Sequence, residues 1–221
     1  MESSVESSVG EATTESRYNR HLMEEDEQML RVLRTFAKRE LRTRMQSIRK
    51  LLPDESTAER SSRACAAVLA LAEFASAQVV GGYIAMRKEL DVSDALTAAA
   101  QRGKRIVLPR ITDDGLVFHV HVPGTGLVEN DGGVLEPNPN AEQVPIAQID
   151  LILVPALALD LRGYRLGYGK SFYDRVLPQL AHGRSVGIVY DFQLLAEVPD
   201  EPHDQRVHWI ITDARSLAAA Q

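Results

Sequence analysis

The sequence predicts an open, mostly parallel α/β sheet with helices on both faces. Two observations carry this. An apolar run at residues 79–85, a helical stretch at 93–101 closed by Gly103, and a second apolar run at 105–108 form a βαβ unit. Such a crossover requires a parallel strand pair. Leu151–Val154 is in addition apolar without alternation, as a strand buried on both faces is. Together they give a three-layer α/β domain over residues 27–221.

The elements follow in order. Residues 1–26 are rich in Ser, Glu and Thr and poor in apolar side chains. Burial there cannot offset the entropy of ordering, so a disordered acidic tail is expected. From Glu27 onward Leu30, Leu33, Ala37, Leu41, Met45, Ile48 and Leu52 recur at helical spacing until Pro53 stops the helix. Its other face carries Arg31, Arg34, Lys38, Arg39, Arg42, Arg44, Arg49 and Lys50 against one acid, Glu40. Much of that face is solvated; so lopsided a charge also suits a phosphate-rich ligand. Ser56-x-x-Glu59 has capping-box form and opens a second helix running through Ala72. Leu116–Val122 alternates as a strand. Residues 124–147, rich in Gly, Pro and Asn, read as a long loop, which in a compact domain suggests a functional lid. A helix at Ser171–Leu180, a strand at Ser185–Tyr190 and a last strand at Trp209–Thr212 precede a short Ala-rich end.

Composition narrows the function. Hydrophobic residues at 44% and charged ones at 25% exclude a disordered or fibrous chain. The net charge of −6 lies entirely in residues 1–28, where eight acids face two bases. The remaining body is neutral, which argues against a dedicated nucleic-acid binder. The single cysteine, Cys65, cannot form an intrachain disulfide and fits a reducing cytosol. No apolar run approaches the roughly 20 residues needed to span a bilayer, and the N-terminus has no secretory pattern. A soluble, cytoplasmic protein without membrane or nucleic-acid partners is expected.

The chemistry concentrates in Gly163-Tyr-Arg-Leu-Gly-Tyr-Gly-Lys-Ser-Phe-Tyr-Asp174. Gly163, Gly167 and Gly169 let backbone N–H groups converge, Lys170 and Ser171 sit where a helix begins, and Arg165 and Lys170 add positive charge. A polyphosphate needs such a cradle. It is not a Walker loop: Tyr164 stands where that spacing requires glycine, and residues 155–162 separate it from the preceding strand. The histidines offer less. His203 and His208 with Asp204 are spread over loop and strand without a third ligand, so a turn-and-core reading is preferred to a transition-metal site. His119 and His121 share one strand face and flank solvent. Cys65, in an Ala-rich helix, reads as a small buried hydrophobe.

Context around the loop is more specific. Val154-Pro-Ala-Leu-Ala-Leu-Asp160, Gly163, Arg165-Leu-Gly-Tyr-Gly-Lys170 and Phe172-Tyr-Asp-Arg175 resemble the signature of the 5-formyltetrahydrofolate cyclo-ligase family. Lys38-Arg-Glu-Leu-Arg42, Tyr83–Glu89 with Asp91, Pro109-Arg110, Gly133-Val-Leu-Glu-Pro137, Val186-Gly-Ile-Val189 and Pro199 through Asp204 follow in that family's order, so the likeness spans roughly residues 30–213. The resemblance implies an open CoA-transferase-like sheet in a monomer that acts on small molecules, closing the ring of 5-formyltetrahydrofolate to 5,10-methenyltetrahydrofolate with ATP as co-substrate. It places ATP on Lys38, Arg39, Glu40, Leu41 and Arg42 and on Arg165, Leu166, Gly167, Tyr168, Gly169, Lys170, Ser171, Phe172 and Tyr173, with Lys170 and Arg165 catalytic. Folate would contact Arg42, Ile84, Glu89 and Tyr168–Phe172, and Asp174 and Asp204 would hold Mg²⁺.

Each assignment has a plainer rival. Ile84 fits strand core, Glu89 fits surface pairing with Arg87 and Lys88, Asp174 complements a helix dipole, and Asp204 fits a turn. The sequence also departs from the family pattern. Ser171 stands where glycine is usual and Phe172 where tyrosine is common, and Ala156 and Leu159 replace the usual Gly and Phe. Because a helix follows, Ser171 is expected at ordinary negative φ, tolerable for a serine that caps or donates to phosphate. A non-catalytic folate-binding or sugar-phosphate-binding module on the same fold remains the alternative.

Overall fold

The computed structural model describes residues 6–220 apart from Gly183. Four helices are α1 (Glu6–Lys50), α2 (Asp54–Leu69), α3 (Ala72–Ser76) and α4 (Ser93–Gln101), and a short α5 (Phe172–Val176) follows the glycine-rich loop. An eight-stranded sheet holds β1 (Val79–Gly81), β2 (Arg105–Thr112), β3 (Gly115–Val120), β6 (Gln143–Val144), β7 (Leu151–Pro155), β10 (Arg184–Ile188), β12 (Trp209–Ile211) and β13 (Ser216–Ala218). Its order is β13-β12-β10-β7-β1-β2-β3-β6. The five central strands β12, β10, β7, β1 and β2 are parallel, and the edges β13, β3 and β6 are antiparallel. A small sheet of β8 (Ala158–Asp160), β9 (Arg165–Leu166) and β11 (Leu194–Leu195) and a hairpin of β4 (Val128–Glu129) and β5 (Leu135–Glu136) complete the chain.

Alternate residues of the parallel strands feed opposite layers, because successive side chains of a strand point to opposite faces. Ile106, Leu108, Leu151, Leu153, Val186 and Ile188 pack under α2, α3 and α4 with Val68, Phe74 and Leu96. Val107, Ile152, Val154 and Ile210 face the other way, toward Val176 and Leu177 of the α5 region and Leu159 of β8. The expected three-layer architecture is thus present, with the second outer layer built from α5 and the small sheet. A third cluster, Met45, Leu157, Ala158, Leu166 and Val198, docks α1 on that small sheet.

Several boundaries differ from the sequence reading. Helix α1 starts at Glu6, far before the expected position 27, and residues 1–5 lie outside the described residues. Helical hydrogen bonds are local, so the helix holds over residues 25–36 although their side chains are exposed. Leu30 and Leu33, expected in the core, are 50% and 55% exposed, and burial along residues 25–50 sets in at Ala37 and Lys38. The capping box at Ser56 does not form: α2 begins after Pro53, and Ser56 Oγ instead accepts from Arg60. The 124–147 segment carries the β4–β5 hairpin and β6 rather than a bare loop. Pro109 lies inside β2, tolerated because β1 stops opposite Val107 and leaves that side of β2 open. His119 is buried, with Nδ1 2.8 Å from the Ala141 carbonyl, and does not flank solvent.

Candidate active site

The carboxyl ends of β1, β2 and β7 open on one cavity of about 740 Å³, the usual position for a ligand in an open parallel sheet. Beyond Gly81 the chain leaves the sheet and turns through Arg87 (φ 49°) and Lys88 (φ 59°). That turn returns Glu89 to the wall, where its Oε2 accepts from Met86 N at 3.0 Å. The other wall comes from β9 and the glycine-rich loop. Gly163 (φ 86°) is required because a Cβ there would lie 2.5 Å from the Val207 carbonyl oxygen. Gly169 (φ 97°) brings the loop against the Arg42 guanidinium, whose Nε donates to the Gly167 carbonyl at 2.9 Å.

The structure collects most of the expected residues. Arg165, Leu166, Gly167, Tyr168, Gly169, Lys170, Ser171, Phe172, Tyr173 and Asp174 all line the cavity, together with Lys38, Arg42, Ile84, Glu89 and Asp204. Of the helical stretch, only Lys38 and Arg42 reach it, joined by Gln46 at the next four-residue step. Arg39 and Glu40 are exposed and face each other at 3.6 Å, while Leu41 packs beside Met45. A helix presents one face to a site, and residues 39–41 are on the others.

Two charge clusters dominate. Arg49 and Glu89 are buried to 1% and 5% exposure, with Arg49 Nη2 3.6 Å from Glu89 Oε1. The Tyr168 hydroxyl joins them, accepting from Arg49 and donating to Glu89 at 2.8 Å, and Arg49 Nε donates to the Arg87 carbonyl at 3.0 Å. Burial raises the Glu89 carboxyl above its ordinary range, opposed first by the Arg49 charge. Burial, then the Glu89 charge, pushes the Tyr168 hydroxyl up to about 12. Glu89 therefore is not the surface partner of Arg87 and Lys88. Arg49 was legible only as one of eight basic residues.

The second cluster lies across the loop. The buried Lys38 ammonium donates to Glu201 Oε2 at 2.5 Å and to Asp204 Oδ2 at 2.7 Å. Arg165 donates to Asp174 Oδ1 and to the Gln205 carbonyl, both at 2.6 Å. Lys170, by contrast, is exposed and has no side-chain hydrogen bond or ion pair among the described residues. Asp174 and Asp204 each keep one carboxylate oxygen outside these bonds. The described acids and histidine whose ligand atoms come within 4.8 Å of one another are Glu201, His203 and Asp204, without Asp174. The carboxylate oxygens of Asp204, Glu201 and, across the loop, Asp174 are hard donors of the kind Mg²⁺ takes, one or two at a time with several waters, while His203 offers a nitrogen. His208 is not part of it; its Nδ1 lies 2.8 Å from Ser185 Oγ. Cys65 is buried as expected, its thiol pushed up to about 11 by burial.

One expectation fails outright. Ser171 has φ 50° and ψ 26°, in the left-handed region. The loop must reverse between Gly169 and α5, and the reversal falls on position 171 as well as on glycine. Helix α5 is also shorter than expected, ending at Val176 before a 3₁₀ turn, Leu177–Gln179, that contains Pro178.

An anion-attracting loop at the open end of a parallel sheet, facing a buried acid across one cavity, defines a phosphate-handling α/β enzyme. Residues 34–213 match the model of the 5-formyltetrahydrofolate cyclo-ligase family, and the chain belongs to that family. It is 34% identical over 191 residues to the 5-formyltetrahydrofolate cyclo-ligase of Mycolicibacterium smegmatis, covering 83% of this chain and 97% of that one. The Escherichia coli K12 cyclo-ligase is 28% identical over 173 residues, 76% of this chain and 95% of its own. The NMR structure of Aquifex aeolicus 5,10-methenyltetrahydrofolate synthetase superposes with a TM-score of 0.74 at 30% identity, covering 84% and 94% of the two chains.

Proposed function

We propose that the protein closes 5-formyltetrahydrofolate to 5,10-methenyltetrahydrofolate at the expense of ATP, releasing ADP and phosphate. The observation that carries this reading is the single cavity that brings the 165–173 loop, Lys38 and Arg42 together with Ile84 and Glu89. The γ-phosphoryl group passes from ATP to the formyl oxygen, giving an iminol phosphate. N10 attacks that carbon and loses its proton, the carbon–oxygen bond breaks, and phosphate leaves. Such a sequence is accelerated by positioning and by neutralising charge on the transferred group.

The residues divide accordingly. Lys170, unpaired among its described neighbours, is the mobile cation for the transferred phosphoryl group. Arg165, locked by Asp174 and Gln205, supplies fixed charge at the loop's base, and Arg42 holds the loop carbonyl at Gly167. Ile84, Glu89 and Tyr168 face the folate. Asp174 and Asp204 would hold Mg²⁺, which when bound screens the phosphate charges. Among the described residues no helix is long and apolar enough to cross a membrane, and we further propose a cytoplasmic monomer. The test mixes protein, 5-formyltetrahydrofolate and Mg·ATP and follows methenyl absorbance. No product with ATP present sinks the proposal, and an unchanged rate after chelation removes Mg²⁺ from it.

A further inference from the structure

Glu136 stands out in the cavity wall. Its side chain is buried, and its two oxygens are treated differently. Oε1 accepts from Ile111 N and from Asn130 Nδ2, each at 2.8 Å, which fastens the β4–β5 hairpin to the open side of β2. Oε2 is the one buried side-chain polar atom among the described residues without a hydrogen-bond partner. The Arg110 guanidinium lies 3.2 Å from it without making a hydrogen bond; Arg110 Nη1 donates instead to the Pro137 carbonyl at 2.6 Å. Holding the hairpin uses Oε1 alone, a task a glutamine oxygen performs as well. Buried acceptors are almost always satisfied, and leaving one open costs about 1–3 kcal/mol. Oε2 is thus ion-paired with Arg110 but makes no hydrogen bond, and it keeps acceptor capacity that a donor outside the chain could use.

The charge of the wall selects that donor. Phosphates and the carboxylates of a folate tail are drawn to Lys170 and Arg42 across the cavity, whereas a carboxylate oxygen without a hydrogen bond can only take a donor. The same lining includes Pro109, Ile111, whose N–H Glu136 accepts, and Leu116, apolar surfaces that suit a flat ring whose edge carries N–H groups. The pterin of a reduced folate has such an edge, with 2-amino and N3–H donors; adenine has a single amino group. We propose that Glu136 is a substrate-binding residue whose Oε2 accepts a hydrogen bond from the aminopyrimidinone edge of the folate's pterin. The proposal rests on the cyclo-ligase reading and adds a specificity residue to it.

The experiment is a cycle of binding measurements by calorimetry on the full-length protein. The ligands are 5-formyltetrahydrofolate, 5-formyltetrahydropteroate without the glutamate tail, and ATP. Glu136→Gln keeps the acceptor for the hairpin and puts an NH₂ group where Oε2 was. It should weaken both folate ligands by the same factor, roughly tenfold or more, and leave ATP within about twofold, since hydrogen bonds to charged groups carry that much. Unchanged folate affinity overturns the proposal. So does a loss confined to ATP, which assigns the oxygen to adenine, or a loss confined to the tailed ligand. An equal loss for all three with a lowered thermal midpoint shows a structural role only and also overturns it. Should the variant not fold, the wild-type protein decides. The 2-desamino-2-methyl analogue must bind roughly tenfold more weakly than 5-formyltetrahydrofolate, and equal binding refutes the contact. Failure of the wild-type protein to bind any folate would strike the cyclo-ligase reading itself.

Discussion

Replacing Arg49 by methionine isolates the energetics of the buried pair behind the site. Methionine keeps most of the aliphatic volume, so the cavity contribution is small and the change is mainly electrostatic. Lost are the bond to the Arg87 carbonyl, the bond to Tyr168 and the charge facing Glu89. Breaking a buried pair from one side costs about 3–5 kcal/mol, because the remaining charge is left desolvated. In a domain of this size that lowers the thermal midpoint by roughly 6–20 °C. The pH dependence follows from Glu89. Burial already raises its folded pKa above the ordinary 4.5, and without Arg49 it rises further. The folded state then holds the proton more tightly than the unfolded one. Stability from this group is full below pH 4.5 and is lost as pH rises through the folded value. The Arg49→Met deficit, measured by urea denaturation against wild type, should accordingly be larger at pH 8 than at pH 5. Adding Glu89→Gln should recover a good part of it at pH 8, since an amide needs no counter-charge. A deficit independent of pH, or strictly additive single changes, would refute the view that an uncompensated Glu89 charge is what destabilises the variant.

Other perturbations separate the roles of the loop and the tail. Lys170→Ala should leave the thermal midpoint within a degree or two while kcat/KM for ATP falls by roughly a hundredfold, as removal of one transition-state charge contact does; near wild-type kinetics would exclude Lys170 from phosphoryl transfer. Ser171→Gly should raise stability by about 1 kcal/mol, since a left-handed residue other than glycine costs roughly that much, and keep kcat/KM within tenfold. Ser171→Val should do the reverse, and equal midpoints for all three would show that position 171 is not strained. Deleting residues 1–26 removes seven acids and two bases, leaving a net charge of −1. Activity and midpoint should hold while solubility near neutral pH drops; a midpoint lower by several degrees would show that the segment packs on the domain.

The central sheet was legible because its signals are one-dimensional. Fully apolar runs such as Leu151–Val154 and a helix between two of them leave few topologies open. The small sheet was not, since β8, β9 and β11 are two or three residues long and carry no period to read. Strand β13 was hidden for a similar reason, its Ser-Leu-Ala sequence reading as an alanine-rich end. Periodicity also overreached in α1, where Leu30 and Leu33 continue a pattern past the point where the body ends. For the site, the motif located the loop, and alternation by four explains why Lys38 and Arg42 reach it and Arg39 does not. Glu201 and Arg49 could have been suspected only from the third dimension. Glu201 is 163 residues from Lys38 in the chain, and Arg49 is 40 from Glu89.

The residues that broke local expectation lie together. Among the described residues three non-glycine ones have left-handed backbone, Arg87, Lys88 and Ser171, and two of them line the cavity while Lys88 joins the same turn as Arg87. A buried arginine, a buried lysine between two acids and a carboxylate oxygen without a hydrogen bond lie on or behind the same walls. Each costs free energy in the folded chain, and elsewhere the sheet follows its sequence pattern closely. Strain and desolvated charge persist where surrounding structure holds them in place, and they gather where a ligand can use them. The αL turn at 87–88 sets Glu89 against Arg49 and Tyr168, and the αL turn at 171 sets Lys170 at the mouth of the loop. The local rules fail in this chain at the positions that bring the wall of the glycine-rich loop and the wall that carries Glu89 onto one cavity.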